Sequence, residues 1–128
     1  MWKIEEIPKI YLTALCAWRE ARGCSVEAIR GVLHVIDNRA RKGVGHVEVI
    51  LKSKQFASFT PESAEATRFP GADDRLFHQI LEFTEQVIMG QDPDLTGGAT
   101  AYYDSSVRPD WAETMTRTAQ MGTFVFLK

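Results

Sequence analysis

At 128 residues and 14.4 kDa the chain has room for one hydrophobic core and not for two, so it reads as a single domain spanning 1–128. Hydrophobic residues at 45% and charged residues at 25% match the globular average, which excludes a disordered tail, a collagen-like repeat and a coiled coil. Fifteen basic against seventeen acidic residues leave a net charge of −2, which argues against a nucleic-acid binder that works by neutralising phosphates.

Taken in chain order, the pattern predicts helices first and a small sheet last. Ile7, Tyr11, Leu15 and Trp18 recur at helical spacing, with Gly23 as the stop. A second stripe on this helix holds small residues, Thr13, Cys16 and Ala17, followed by Glu20. Ser25 is placed to cap a second helix with Ile29, Leu33, Ile36 and Ala40 on its apolar face, ended by Lys42-Gly43-Val44-Gly45. A short helix over 46–52 and an irregular stretch over 55–61 follow. Asp73 or Asp74 starts a helix carrying Leu76, Ile80, Phe83 and Val87, closed by Gly90. Gly97-Gly98 opens an extended run over 99–103. Pro109 then suits the first turn of a helix from Asp110 to Met121, stopped by Gly122. Phe124 to Leu127 reads as a strand paired with the earlier run. The fold class is α+β, mostly helical, with a small antiparallel sheet.

Cys16 and Cys24 are too few for a disulfide framework and read as free or structural thiols. No CxxC or HExxH spacing is present, and His34, His46 and His78 are scattered, so neither a metal site nor a cofactor is expected. No stretch approaches the roughly 18 apolar residues of a membrane span. Tyr11 to Trp18 imitates the core of a signal peptide, but Glu5 and Glu6 before it and Glu20 after it do not fit one. Synthesis in a cytoplasm without an export signal, and no membrane insertion, are the expectations.

Glu20 fits a purely structural reading least. It lies in the last turn of an apolar helix, where the negative end of the helix dipole and apolar surroundings both disfavour an ionised carboxylate. A carboxyl that keeps its proton is what a general acid needs. The alternative is a solvated glutamate paired with Arg19 or Arg22, although helical geometry turns those two roughly 100° and 200° away from it.

Trp18-Arg19-Glu20-Ala21-Arg22-Gly23, then Asn38-Arg39, then Gln55-Phe56, resembles the motif order of the SleB-type (spore cortex-lytic enzyme) cell-wall hydrolase family. Thr96-Gly97-Gly98-Ala99-Thr100-Ala101-Tyr102 and Pro109-Asp110-Trp111-Ala112 continue it, and Gly122 and Phe126 resemble the closing motif. The resemblance runs from about Leu12 to Leu127, and the Trp-Arg-Glu-Ala-Arg-Gly form is most similar to compact members used as phage endolysins. It implies a lysozyme-like fold and cleavage of peptidoglycan between N-acetylmuramic acid and N-acetylglucosamine, with Glu20 catalytic. It also implies that Gln55, Phe56, Tyr102 and Trp111 are cleft residues, with Ser58 beside them because Ala57 stands where the family often has serine. Aromatic faces and a side-chain amide suit sugar rings and their acetamido groups. Phe56 and Trp111 remain divided between cleft and core, and Asn38 and Arg39 are read as fixing the helix end. Cys24, Ala28 and Phe124 depart from the residues usual in the family, which leaves the finer substrate contacts open.

A glycosidase that retains or inverts usually needs two carboxyl groups, roughly 5 or 6.5–9.5 Å apart. No second acidic residue falls in a matching motif, and Asp94 and Asp104 read as turn residues. The leading expectation is therefore a lytic transglycosylase with Glu20 as sole acid and base. Its rivals are a hydrolytic muramidase using the same residue and a glycan-binding module without turnover. A small DNA-binding domain resting on Arg39-Ala40-Arg41-Lys42 is the weakest reading, since such a cluster suits a solvated helix end. The expected partners are peptidoglycan glycan strands met by a monomer, in the manner of an endolysin released to the wall by a separate pore. Because cell walls are largely anionic, a chain of charge −2 must bind them through a specific cleft.

Overall fold

The structure, a computed structural model, describes residues 6–52 and 55–128; Glu5 of the signal-peptide argument lies outside them. Four helices, α1 (Ile7–Ala21), α2 (Val26–Lys42), α3 (His46–Lys52) and α4 (Arg75–Ile88), precede three strands, β1 (Ala101–Asp104), β2 (Arg117–Met121) and β3 (Phe124–Leu127). Short 3₁₀ turns at Ala57–Phe59, Ala64–Thr67 and Asp110–Thr114 link them.

Helix α1 is the hub against which the other three helices pack. Its small-residue stripe makes a close helix contact and not a groove: Thr13, Ala14, Cys16 and Ala17 are all buried. The predicted caps explain where the next helices start. Ser25 Oγ accepts the Ala28 N–H at 3.2 Å, and Asp74, not Asp73, accepts the Phe77 N–H at 2.9 Å. The other Asp74 oxygen accepts from Trp18 Nε1 at 3.2 Å, which ties the start of α4 to α1. Gly23 is not in the left-handed region expected of a helix-ending glycine, whereas Gly90 after α4 is, at φ 73°.

The sheet has the order β1-β3-β2 and is antiparallel throughout. The pairing of the extended run with β3 is as the sequence predicts, with Tyr102 opposite Phe126. The helix predicted from Asp110 to Met121 is not there. Pro109 starts only a 3₁₀ turn, and Arg117–Met121 is strand β2. Gly122, read as a helix stop, is instead the first residue of a two-residue hairpin turn at φ 58°, with Met121 facing Phe124 across the ladder. Thr118 bulges out of the β2–β3 register and donates its hydroxyl to Thr96 O at 2.6 Å. β3 is buried on both faces, Phe124 and Phe126 joining the helical core while Val125 and Leu127 pack on Ala101 and Ala112.

The contact between α2 and the sheet depends on Gly31. A Cβ at that buried position would lie 2.8 Å from Phe126 Cε1 and closer still to Cζ. Gly31→Ala should therefore destabilise by about 2 kcal/mol in urea unfolding, because overpacking at a fully buried ring outweighs the roughly 1 kcal/mol that helix propensity favours alanine. A variant as stable as wild type or more so would contradict this packing.

The loop before β1 is fixed by two acids, Asp92 buried and Asp94 half-buried. Asp92 accepts from His34 Nε2 at 2.6 Å and pairs with Arg30. Burial pushes the Asp92 pKa up, but the hydrogen bonds from His34 and Arg30 together outweigh it, and the net shift is downward. Asp94 accepts from the Thr96 N–H and hydroxyl, the Gly98 N–H and Asn38 Nδ2. Gly97 and Gly98 take φ values of 73° and 81° in this loop, with the Thr118 side chain against Gly97. This network delivers Tyr102 to its place on β1.

Candidate active site

Glu20 sits half-buried in the last turn of α1. Its two carboxylate oxygens each accept one hydrogen bond from a distant part of the chain. Tyr102 O–H donates to Oε1 at 2.6 Å, and the Ser58 backbone N–H donates to Oε2 at 3.2 Å. Burial, reinforced by the Glu20 charge, pushes the Tyr102 hydroxyl pKa well above its ordinary value, so it stays a neutral donor. The ring itself is held by Phe124, stacked at 5.2 Å with 14° between planes.

The pairing of Glu20 with neighbouring arginines does not occur. Arg22 lies over the Trp18 ring at 4.2 Å and pairs with Glu65. Arg19 is buried and faces the other way. It donates to the carbonyls of Arg68 at 3.0 Å and of Ser58 and Ala66 at 3.2 Å. Its guanidinium also lies over the rings of Phe59 and Phe69, 4.6 and 4.9 Å from their centroids. Arg19 thus clamps the 57–69 segment onto α1 and presents the Ser58 N–H to Glu20.

Glu20 opens onto a cleft of about 710 Å³, lined also by Arg39, Gln55, Phe56, Thr100, Ala101, Tyr102, Trp111 and Met115. Gln55, Phe56, Tyr102 and Trp111 of the sequence prediction are brought together here. Phe56 is 2% exposed and forms floor and core at once, whereas Trp111 is 46% exposed at the rim, edge-on to Tyr103. Ser58 does not line the cleft. Its side chain is buried, with Oγ unpartnered among the described residues, and only its backbone meets Glu20. Among the described residues that line the cleft, Glu20 is the one carboxylate. Asp94 is consumed by its four donors, and Asp104 caps its own turn through the Ser106 N–H.

The sequence profile of the family described as Cell Wall Hydrolase matches residues 23–127. The chain belongs to the cell wall hydrolase family. Membership places it among enzymes that degrade peptidoglycan. The fold is similar to the crystal structure of the catalytic domain of the Bacillus cereus SleB protein. That likeness has a TM-score of 0.72 at 22% identity and covers 94% of this chain and 89% of that one. No curated protein sequence matches significantly. The profile match to the cell wall hydrolases begins three residues after Glu20, so the place of Glu20 rests on the cleft geometry described above.

Four cleft residues of this cell wall hydrolase, Arg39, Thr100, Ala101 and Met115, are not assigned to the cleft by the sequence. Thr100 is signalled locally, because residues two apart in an extended run share a face and Tyr102 lies in the cleft. Met115 falls within the expected helix from Asp110 to Met121, which does not form. Arg39, read from the sequence as fixing the helix end, does secure it by donating Nε to Thr100 O, but it also lines the cleft. The neighbouring Asn38 has the structural role expected, bonding Asp94 and Ala99 O at 2.9 Å each. With Arg39 in the cleft and Arg41 bonded to Asp37 at 2.7 Å, the basic cluster offers no continuous cationic face. Both cysteines are free, and burial raises the pKa of each thiol above its ordinary value. A smaller cavity of about 330 Å³ lies beside α2, where Arg30 and His34 are already paired with Asp92.

Proposed function

We propose that the chain cuts the glycosidic bond between N-acetylmuramic acid and N-acetylglucosamine as a lytic transglycosylase, with Glu20 as general acid and then general base. The observation that carries this reading is that Glu20 is the one carboxylate among the described residues that line the cleft. The usual hydrolytic routes, retaining or inverting, employ a second one. Protonated Glu20 gives its proton to the glycosidic oxygen, and the bond to the muramyl anomeric carbon breaks. The resulting carboxylate then takes the proton of the muramyl C6 hydroxyl as that oxygen attacks the anomeric carbon. The products are a free 4-hydroxyl on one sugar and a 1,6-anhydro ring on the other, with no water consumed. Tyr102 and the Ser58 N–H fix the direction of the carboxyl through both proton transfers. Trp111 offers an apolar face to the sugar rings, Phe56 backs the cleft floor from the core, and Gln55 offers an amide to the acetamido groups.

Mass spectrometry of digested cell-wall sacculi tests the reaction. Muramyl products one water lighter than the hydrolysed sugar are expected. Products that all carry the full water, with a reducing end, would overturn the transglycosylase step in favour of a water activated by Glu20.

A further inference from the structure

Four arginines among the described residues are buried or half-buried: Arg19, Arg22, Arg30 and Arg39. Each solves the problem of a desolvated cation, and three do so inside the protein. Arg22 pairs with Glu65, Arg30 pairs with Asp92, and Arg19 spends its nitrogens on three backbone carbonyls. Arg39 differs. Its Nε donates to Thr100 O, and its guanidinium lies over the Phe56 ring, 5.6 Å from the centroid. The terminal nitrogens have no hydrogen-bond partner and no carboxylate among the described residues, although they belong to a residue that lines the Glu20 cleft. Two anchors therefore hold the plane still while its open edge is left to the cleft. Burial without a counter-ion costs free energy unless an anion is supplied, and a guanidinium edge is shaped to take a carboxylate by two parallel hydrogen bonds.

We infer that Arg39 is a substrate-recognition residue, which receives a carboxylate carried by the muramyl sugar and so distinguishes muramyl glycan from a plain N-acetylglucosamine polymer. This inference rests on the glycan-cleaving reading above. The muramyl residue bears a 3-O-lactyl group that its neighbour lacks. The carboxylate is either the free lactyl group or, when a peptide is attached there, an acid of that peptide. Either one suits the fixed edge of Arg39. It lines the same cleft as Tyr102, the donor to Glu20, and bonds the Thr100 carbonyl two residues before it, so the carboxylate would set the register of the strand relative to the proton donor.

The test uses wild type, Arg39→Gln and Arg39→Lys, with binding measured to three glycans. These are peptide-bearing muramyl strands, strands stripped of peptide so that the lactyl carboxylate is free, and N-acetylglucosamine oligomers. Wild type is expected to favour the carboxylate-bearing strands. Arg39→Gln should weaken binding to them about ten- to hundredfold, with Arg39→Lys between, and should weaken binding to the N-acetylglucosamine oligomer far less. KM should rise more than kcat falls. Loss confined to peptide-bearing strands assigns the anion to the peptide, and loss on both assigns it to the lactyl group. Equal loss on all three glycans, or no loss on any, overturns the inference and leaves the glycan-cleaving reading standing. Wild-type protein that neither binds nor cuts any muramyl strand overturns that reading, and the role of Arg39 with it.

Discussion

Glu20→Gln is expected to slow the lysis of purified cell walls by about 10²–10⁴-fold, the usual share of a positioned general acid and base. Glutamine keeps the size and rotamer of the side chain and an oxygen that accepts from one of its two donors, Tyr102 or Ser58. The fit that keeps both contacts turns the oxygen to the Ser58 N–H and the amide N–H to the Tyr102 hydroxyl, which accepts in place of donating. The cost should be about 1 kcal/mol or less, and the melting temperature should fall by about 5 °C at most. Folding and chemistry are therefore separable in this variant. Circular dichroism and thermal unfolding check the first, and turbidity loss of sacculi suspensions checks the second. Wild-type rates of clearing from Glu20→Gln would remove Glu20 from the mechanism.

Arg19→Met should be the most damaging single change outside the cleft. It removes a buried cation that joins α1 to three carbonyls of the 57–69 segment and two aromatic rings. The carbonyls of Ser58, Ala66 and Arg68 lose a charged donor, and a loss of about 3 kcal/mol in urea unfolding is expected. Activity should fall further than stability alone explains, because the segment that Arg19 holds carries the Ser58 N–H on Glu20. Arg19→Lys keeps the charge but cannot reach three diverging carbonyls with one ammonium, so it should restore only part of both. The positioning role predicts that kcat falls while KM changes little, at temperatures where the variant is fully folded. A stability within about 0.5 kcal/mol of wild type together with normal kcat would show that the clamp is incidental.

The helical part of this chain is legible because its signals are local. Apolar spacing, the Ser25 and Asp74 caps and Gly90 each act within a few residues, and the four helices lie where those signals put them. The error at 110–121 is also local in origin. Pro109 suits the start of a helix, but the turn it opens gives way at Met115. Threonines at 116 and 118, with a glycine ready for the hairpin, favour a strand once β3 is there to pair with. Tertiary pairing overrides the helical start.

The site divides in the same way. Glu20 stands out from its own helix, and the aromatic and amide residues of the cleft are carried by short motifs. What holds Glu20 is not visible locally, since its two donors lie 38 and 82 residues away along the chain. Ser58 shows the difference most clearly. It meets the Glu20 carboxyl through its backbone N–H, while its hydroxyl is buried away from the cleft. Arg39 looks like a charge at a helix end until the fold shows which of its nitrogens are spoken for.

Whether this cleft breaks a glycosidic bond with Glu20 moving the proton is decided by finding which bond is cut in intact sacculi digested by wild type and by Glu20→Gln side by side. New muramyl ends with every peptide intact, formed by wild type and nearly absent with Glu20→Gln, are the predicted result. New peptide amino groups on uncut glycan strands, or the same muramyl ends from both proteins, would contradict it.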